Sequence, residues 1–214
     1  SILEHNLENF EKIGVSRITV VGGYKFNLLK KKIEKFNNNK IKLIKNIDYN
    51  NKGNSYSIKL GINKNQNFNS TIILDGDLLY DFKILKHFLK KNKNKNSLLV
   101  GKGNITDKEC AKVLIKKDKS IAKVIDKSYI DKSTLKKFKF VGEAPGIILF
   151  NKKGLKSFSK NLNEFLKKNY LLNWEKALNF HCIKDKIYYH FTKSFKWIEI
   201  DTKADFKKAK NIFK

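Results

Sequence analysis

Two acidic clusters, far apart in the chain, hold the side chains most able to do chemistry. The first is Asp75-Gly76-Asp77, which closes the apolar run Thr71-Ile-Ile-Leu74. The second is Glu199-Ile200-Asp201, which follows Trp197-Ile198 and leads into Thr202 and Asp205. A short apolar run ended by a turn signal reads as a strand buried on both faces. Carboxylates at the end of such a strand lie where open α/β sheets collect their ligands. Asp77 and Asp201 could therefore meet over one Mg²⁺. That ion takes one or two carboxylates and fills its other positions with water and phosphate oxygens. Glu199 shares a strand face with Asp201, which makes it a third candidate. Taken singly, Asp75 and Asp77 would only shape a turn, and Asp201 or Thr202 would only cap a helix. The pair, set in the order of elements described next, points to a metal site that handles phosphates.

The elements that must position these acids alternate in the first half of the chain. Arg17-Ile-Thr-Val-Val21 reads as a strand closed by Gly22-Gly23, and residues 25–36 as a Lys-rich helix with Phe26, Leu29 and Ile33 on its apolar side. A strand at 41–44, a helix opening at Asn54-Ser-Tyr-Ser57, the strand that ends at Asp77, a helix at 82–91 and a strand at 97–100 follow. This rhythm predicts a mostly parallel sheet covered by helices on both faces. Between residues 111 and 150 four closely spaced apolar runs predict a smaller mixed β section. Helices return near 152–168 and 173–181, then strands at 186–191 and 196–200, and a final helix at 202–213. Pro145, the only proline, fixes a turn in Gly142-Glu-Ala-Pro-Gly146.

Composition excludes several function classes. The 214 residues suffice for one α/β domain with a sizeable core. No apolar run approaches the ~20 residues that span a bilayer, so no membrane partner is expected. Cys110 and Cys182 are the only cysteines and lack zinc-ligand spacing, which suits a reducing cytoplasm. The formal charge of +27 raises the prior for nucleic acid. Yet Arg17 is the only arginine, and the lysines are spread over every element among many asparagines. Surfaces that read phosphates and bases recruit the bidentate fork of Arg, so no nucleic-acid partner is expected and the charge reads as composition. The chain contains no methionine, so Ser1 is not an initiator. It stands at the threshold of an amphipathic helix, which predicts a truncated or processed chain.

In this order the landmarks resemble the nucleotidyltransferase superfamily that activates sugar phosphates and small phospho-alcohols. They are residues 2–14 with 18–24, Asn54-Ser-Tyr-Ser57, Ile73-Leu-Asp-Gly-Asp77, Gly142-Glu143 with Gly146, Asn173-Trp-Glu-Lys-Ala-Leu178, and the run from Ile198 to Asp205. Each is weak alone; together they cover nearly the whole chain and look most like bacterial CTP:phosphocholine cytidylyltransferases and their aminoethylphosphonate and inositol-phosphate relatives. The resemblance implies one Rossmann-like, three-layer α/β/α domain. It implies Asp77 and Asp201 as the catalytic pair that holds Mg²⁺, and Asn54, Ser57 and Asp75 beside the nucleotide. Glu143 would meet the acceptor, and Lys127 would reach a phosphate. Trp174 and Glu175 would form an aromatic-plus-acid pair suited to an ammonium group. Against these stand plainer readings: an N-cap for Asn54 and Ser57, a turn acid for Glu143, core for Trp174, and one lysine among many for Lys127. The implied reaction passes CMP from CTP to a phosphorylated or phosphonate small molecule and releases pyrophosphate. One departure matters. Such enzymes grip the triphosphate with a Gly-rich loop and a Pro-Lys segment after a first central strand, and this sequence contains no G-x-G-x-R or Pro-Lys pattern. The alternative is therefore a non-catalytic binding or regulatory module of the same fold.

Overall fold

The computed structural model describes residues 1–63, 67–192 and 195–213. Helix α1 (Ile2–Lys12) starts on a Ser1/Glu4 capping box, and the chain leaves it through Gly14, at φ 72°. Strand β1 (Ile18–Gly22) and strand β2 (Ile41–Lys45) pair in parallel, joined by α2 (Phe26–Glu34). After α3 (Asn54–Ile62) comes β3 (Ser70–Leu74), then a short β4 (Leu78–Tyr80) and α4 (Phe82–Lys91), whose N-cap Asp81 accepts from Lys83 N–H. Strand β5 (Ser97–Val100) leads into an antiparallel sheet of three strands. Its members are β6 (Lys112–Ile115), β7 (Ile121–Ile125) and β8 (Lys139–Glu143), in the order β7-β6-β8, with α5 (Lys132–Lys137) between the last two in sequence. The rest is β9 (Ile147–Asn151), α6 (Lys152–Leu166), α7 (Trp174–Lys184), β10 (Tyr188–Phe191), β11 (Trp197–Glu199) and α8 (Lys203–Ile212).

The central sheet runs β10-β5-β9-β3. Its parallel character is partial: β10 pairs in parallel with β5 and β3 runs the same way, while β9, between β5 and β3, lies antiparallel to both. The reason is where the chain re-enters. β5 hands over to the small sheet at its carboxyl end, where Gly101 bridges Glu143, so β9 can only run back the other way. Helices cover both faces. One apolar cluster joins the sheet to α3, α6 and α7 through Phe150, Phe158, Leu162 and Leu178. The other joins it to α4 and α1 through Leu85, Phe88, Leu99 and Phe10. The three-layer α/β/α arrangement follows.

Strand β3 departs from its expected full burial. Ile73 packs against the first cluster and Ile72 and Leu74 against the second, yet all three remain half-exposed. Exposure enters through the edge: β3 pairs only with β9, and β1 only with β2, among the described residues. The two unpaired edges begin at the same end of the molecule, where the Arg17 guanidinium sits 5.1 Å from the centre of the Phe68 ring. Helix α1 also does a strand's work. His5 Nε2 donates to the Tyr80 carbonyl (2.7 Å) and Asn6 Nδ2 to the Leu78 carbonyl (3.3 Å), satisfying the side of β4 that faces away from β11.

Candidate active site

Asp75, Gly76 and Asp77 turn the chain from β3 into β4. β4 then pairs antiparallel with β11, Leu78 opposite Glu199, and Ile200 N–H donates to the Asp77 carbonyl at 3.1 Å. This ladder places Asp77 and Asp201 at neighbouring strand ends although the sequence separates them widely. Lys127 faces them from the loop after β7: its Nζ lies 3.9 Å from Asp201 Oδ2 and 3.6 Å from Glu109 Oε2. Its backbone is left-handed, φ 41°, a conformation that costs a residue with a Cβ.

The electrostatics report crowding. Burial, then the charges of Asp77, Glu143, Asp75 and Asp201, push Glu199 up to about 8. Asp77 is lifted as well, first by partial burial and then by Asp201, against the pull of its own backbone N–H and of Lys127. Asp75 is pushed up to about 7 by burial, Asp77 and Glu175, against the pull of the Trp174 side chain beside it. Burial also pushes Glu175 to about 7, with Asp126 adding to the shift. Glu175 is only 7% exposed, and its Oε2 has no hydrogen-bond partner among the described residues. Carboxylates that repel one another toward neutrality at a strand end are a poised site for a cation. Among the described residues no three His, Cys, Asp or Glu side chains form a ready metal cage. An all-oxygen pair suits Mg²⁺, which keeps several of its waters, and does not suit zinc.

The other expected residues lie around this centre. Asn54, at the start of α3, turns its Oδ1 to Trp174 N–H (2.8 Å) and so caps α7, whose own N-cap Asn173 makes no side-chain bond. Ser57 Oγ accepts from Asn46 Nδ2 at 3.0 Å. Both are built into the framework, and the exposed amide of Asn54 remains at the surface. Trp174 is 3% exposed and belongs to the core, so its plainer reading holds. Glu143, half-buried at the end of β8, is raised by burial, against the pull of Cys110, Ala111 and Lys112 beside it. Gly146 is needed here: at φ 67°, a Cβ on it would stand 2.2 Å from Asp75 Oδ2.

A family profile described as a domain of unknown function, DUF6564, matches residues 1–213. The chain belongs to that family. No curated protein matches the sequence. Solved structures share the fold. The CTP:phosphocholine cytidylyltransferase from Streptococcus pneumoniae is 16% identical, with a TM-score of 0.74 over 100% of this chain and 85% of that one. The inositol-1-phosphate CTP transferase from T. maritima is 19% identical, TM-score 0.73, over 95% and 78% of the two chains. HddC from Yersinia pseudotuberculosis is 20% identical, TM-score 0.65, over 97% and 83%. The fold is thus that of nucleotidyltransferases, as the ordered landmarks imply.

Sequence reasoning missed Asp126, which adds its charge to the Glu175 pocket, and Lys112, which is fully buried beside Glu143's strand. For Lys112 the signal was present: a lysine inside the apolar run Ala111-Lys-Val-Leu-Ile115. For Asp126 there was none, because nothing local links it to α7.

Proposed function

We propose that this chain is the body of a nucleotidyltransferase that passes a nucleoside monophosphate, CMP from CTP first, to a phosphorylated or phosphonate small molecule. An acceptor phosphate oxygen bonds to the α-phosphorus, the bond from that phosphorus to the bridging oxygen breaks, and pyrophosphate leaves. The observation that carries this reading is the meeting of Asp77 and Asp201 across the β4–β11 ladder. These two carboxylates would hold Mg²⁺, with Glu199 beside them. Such an ion, when bound, screens the phosphates from one another. The chain's own residues then position the reactants. Lys127 can exchange Asp201 for an acceptor phosphate, and the acids Asp75 and Glu175, beside Trp174, would pair with an ammonium group such as that of phosphocholine. No covalent intermediate is required; alignment and charge carry the chemistry. The two buried free cysteines suit a reducing, cytoplasmic setting.

A second reading, a binding module without turnover, is favoured by one observation: the absence of G-x-G-x-R and Pro-Lys patterns, and so of donors for a triphosphate. Pyrophosphate release from each common nucleoside triphosphate, with phosphocholine, aminoethylphosphonate and sugar phosphates as acceptors, separates the two. Residues 1–214 alone should turn over slowly or not at all, since loss of one preorganised donor costs about 10²–10³ in rate. A Gly-rich segment added ahead of Ser1 should restore release, and Asp77→Asn or Asp201→Asn in that background should abolish it. Silence of the extended chain with every acceptor would favour the module.

A further inference from the structure

The run Lys90-Lys-Asn-Lys-Asn-Lys-Asn96 reads as composition, yet the fold gives each of its asparagines a task. Asn92, 5% exposed, donates from Nδ2 to the Phe88 carbonyl at 2.8 Å and accepts from Ser97 Oγ at 2.9 Å. Asn94 makes a left-handed turn at φ 65°, a conformation asparagine tolerates, and its carbonyl accepts from Asn151 Nδ2 at 2.8 Å. Asn96 Oδ1 accepts from Asn151 N–H at 3.1 Å, and the Asn96 carbonyl from Tyr188 N–H at 3.0 Å. Lys91 and Lys95 are thus presented from a pinned loop. The β6–β7 turn is pinned as well, because Asp118 Oδ1 accepts from both the N–H and the Oγ of Ser120, with Lys119 between them at φ 64°. An open cavity of about 810 Å³ is shared by the two segments. Lys91, Lys95, Lys119 and Lys186 line it together with Tyr188, and among the described residues no Asp or Glu does. Lys186 is paired with Asp118 at 2.8 Å, while Lys91, Lys95 and Lys119 have no acid partner among the described residues. β5 starts at this cavity and leads to Gly101 beside Glu143, and β7 starts here and leads toward Lys127. The cavity therefore lies at the opposite end of these strands from the acid cluster.

We propose that this cavity is a second anion site, independent of Mg²⁺, that holds the polyphosphate chain of a nucleotide. Ammonium groups bind phosphates as point charges, and three that lack acid partners match the charge of a di- or triphosphate. Their backbones are fixed before any ligand arrives, so little ordering is lost on binding. The volume suits a nucleotide-sized molecule. Tyr188, 41% exposed, offers the nucleotide's base a ring to lie against. What separates this place from the rest of a lysine-rich surface is convergence: cations from two segments face one space that no carboxylate enters.

Calorimetric titration in EDTA isolates this site, because without a cation the acid cluster repels phosphates. The probes are CTP and inorganic tripolyphosphate. We expect saturable binding of CTP at one site per chain. Lys95→Gln/Lys119→Gln should weaken it about tenfold, and Lys136→Gln/Lys137→Gln, an equal change of charge on the exposed face of α5, by less than about twofold. Tyr188→Ala should weaken CTP and leave tripolyphosphate unchanged. Equal losses in the two double variants, or binding that never saturates, overturn the proposal, since a diffuse field produces both. Tripolyphosphate that binds the parent as tightly as CTP would overturn the nucleotide as occupant and assign the cavity to an inorganic chain. The titration needs no turnover, so its outcome stands apart from that of the transfer reaction.

Discussion

Glu199 is the residue whose titration most directly reports the acid cluster. It sits in β11 one residue before Ile200 and two before Asp201, facing Asp77, Glu143 and Asp75. In the unfolded chain it loses its proton near the ordinary value of 4.5; in the fold it holds it to about 8. The native state therefore binds more protons than the unfolded state across that window, so this group's contribution to stability falls as pH rises through it. Other charges shift with pH too, so the informative quantity is the difference between the parent protein and Glu199→Gln. The advantage of the Gln variant should be absent near about pH 4 and full above about pH 8.5. It should amount to at least ~3 °C in melting temperature, which ~1 kcal/mol produces in a domain of this size. Millimolar Mg²⁺ should narrow that gap at high pH by offsetting the crowded charge. A gap that ignores both pH and Mg²⁺ would refute the cation reading.

At the scale of elements, the site hangs on helix α7 being started correctly. Asn173 makes no side-chain cap, and Asn54 supplies the missing acceptor from α3. Asn54→Ala should cost about 1 kcal/mol, the ordinary worth of an N-cap, although it removes nothing from α3 itself. Because Trp174 is the first residue of α7 and its N–H is the group that Asn54 caps, the substitution should also alter tryptophan fluorescence. Melting temperature and emission maximum, measured together, check both. The sequence placed α4, α6 and α7 within a few residues, and the start of α3 from the N-cap signal in Asn54-Ser-Tyr-Ser57. It missed β4, since three residues, Leu78-Leu-Tyr80, carry no alternation to read. That short strand is defined by β11 and by the side chains of α1, not by its own pattern.

For the whole molecule the question is what a formal charge of +27 does. Lysines lie on every layer, and many of the described acids are consumed in local pairs such as Lys52–Asp48, Lys184–Glu164 and Lys186–Asp118. A diffuse field of this kind attracts anions without reading them. Sequence-selective DNA or RNA binding at physiological ionic strength should therefore be absent in an electrophoretic or fluorescence titration, and any binding at low salt should vanish as salt rises. Among the described residues no helix is long and apolar enough to cross a membrane.

What the sequence determined by itself was local. The apolar run into Asp75-Gly-Asp77, the Thr202/Asp205 capping box and the helical spacing of α4 and α6 depend on neighbours a few residues away, which a linear reading contains. It also fixed the chemical types that could meet, two carboxylate clusters and no zinc ligands. The fold decided everything that depends on which strand lies beside which. β9 runs antiparallel because the chain re-enters at the site end of the sheet. β3 stays half-buried because, among the described residues, one edge has no strand beside it. Glu199 and Asp75 hold their protons to near neutrality because residues far apart in sequence converge on them. Lys112 is buried because β7 and β8 close over it from both sides. Burial and electrostatic coupling are properties of distance in space, and distance along the chain does not encode them.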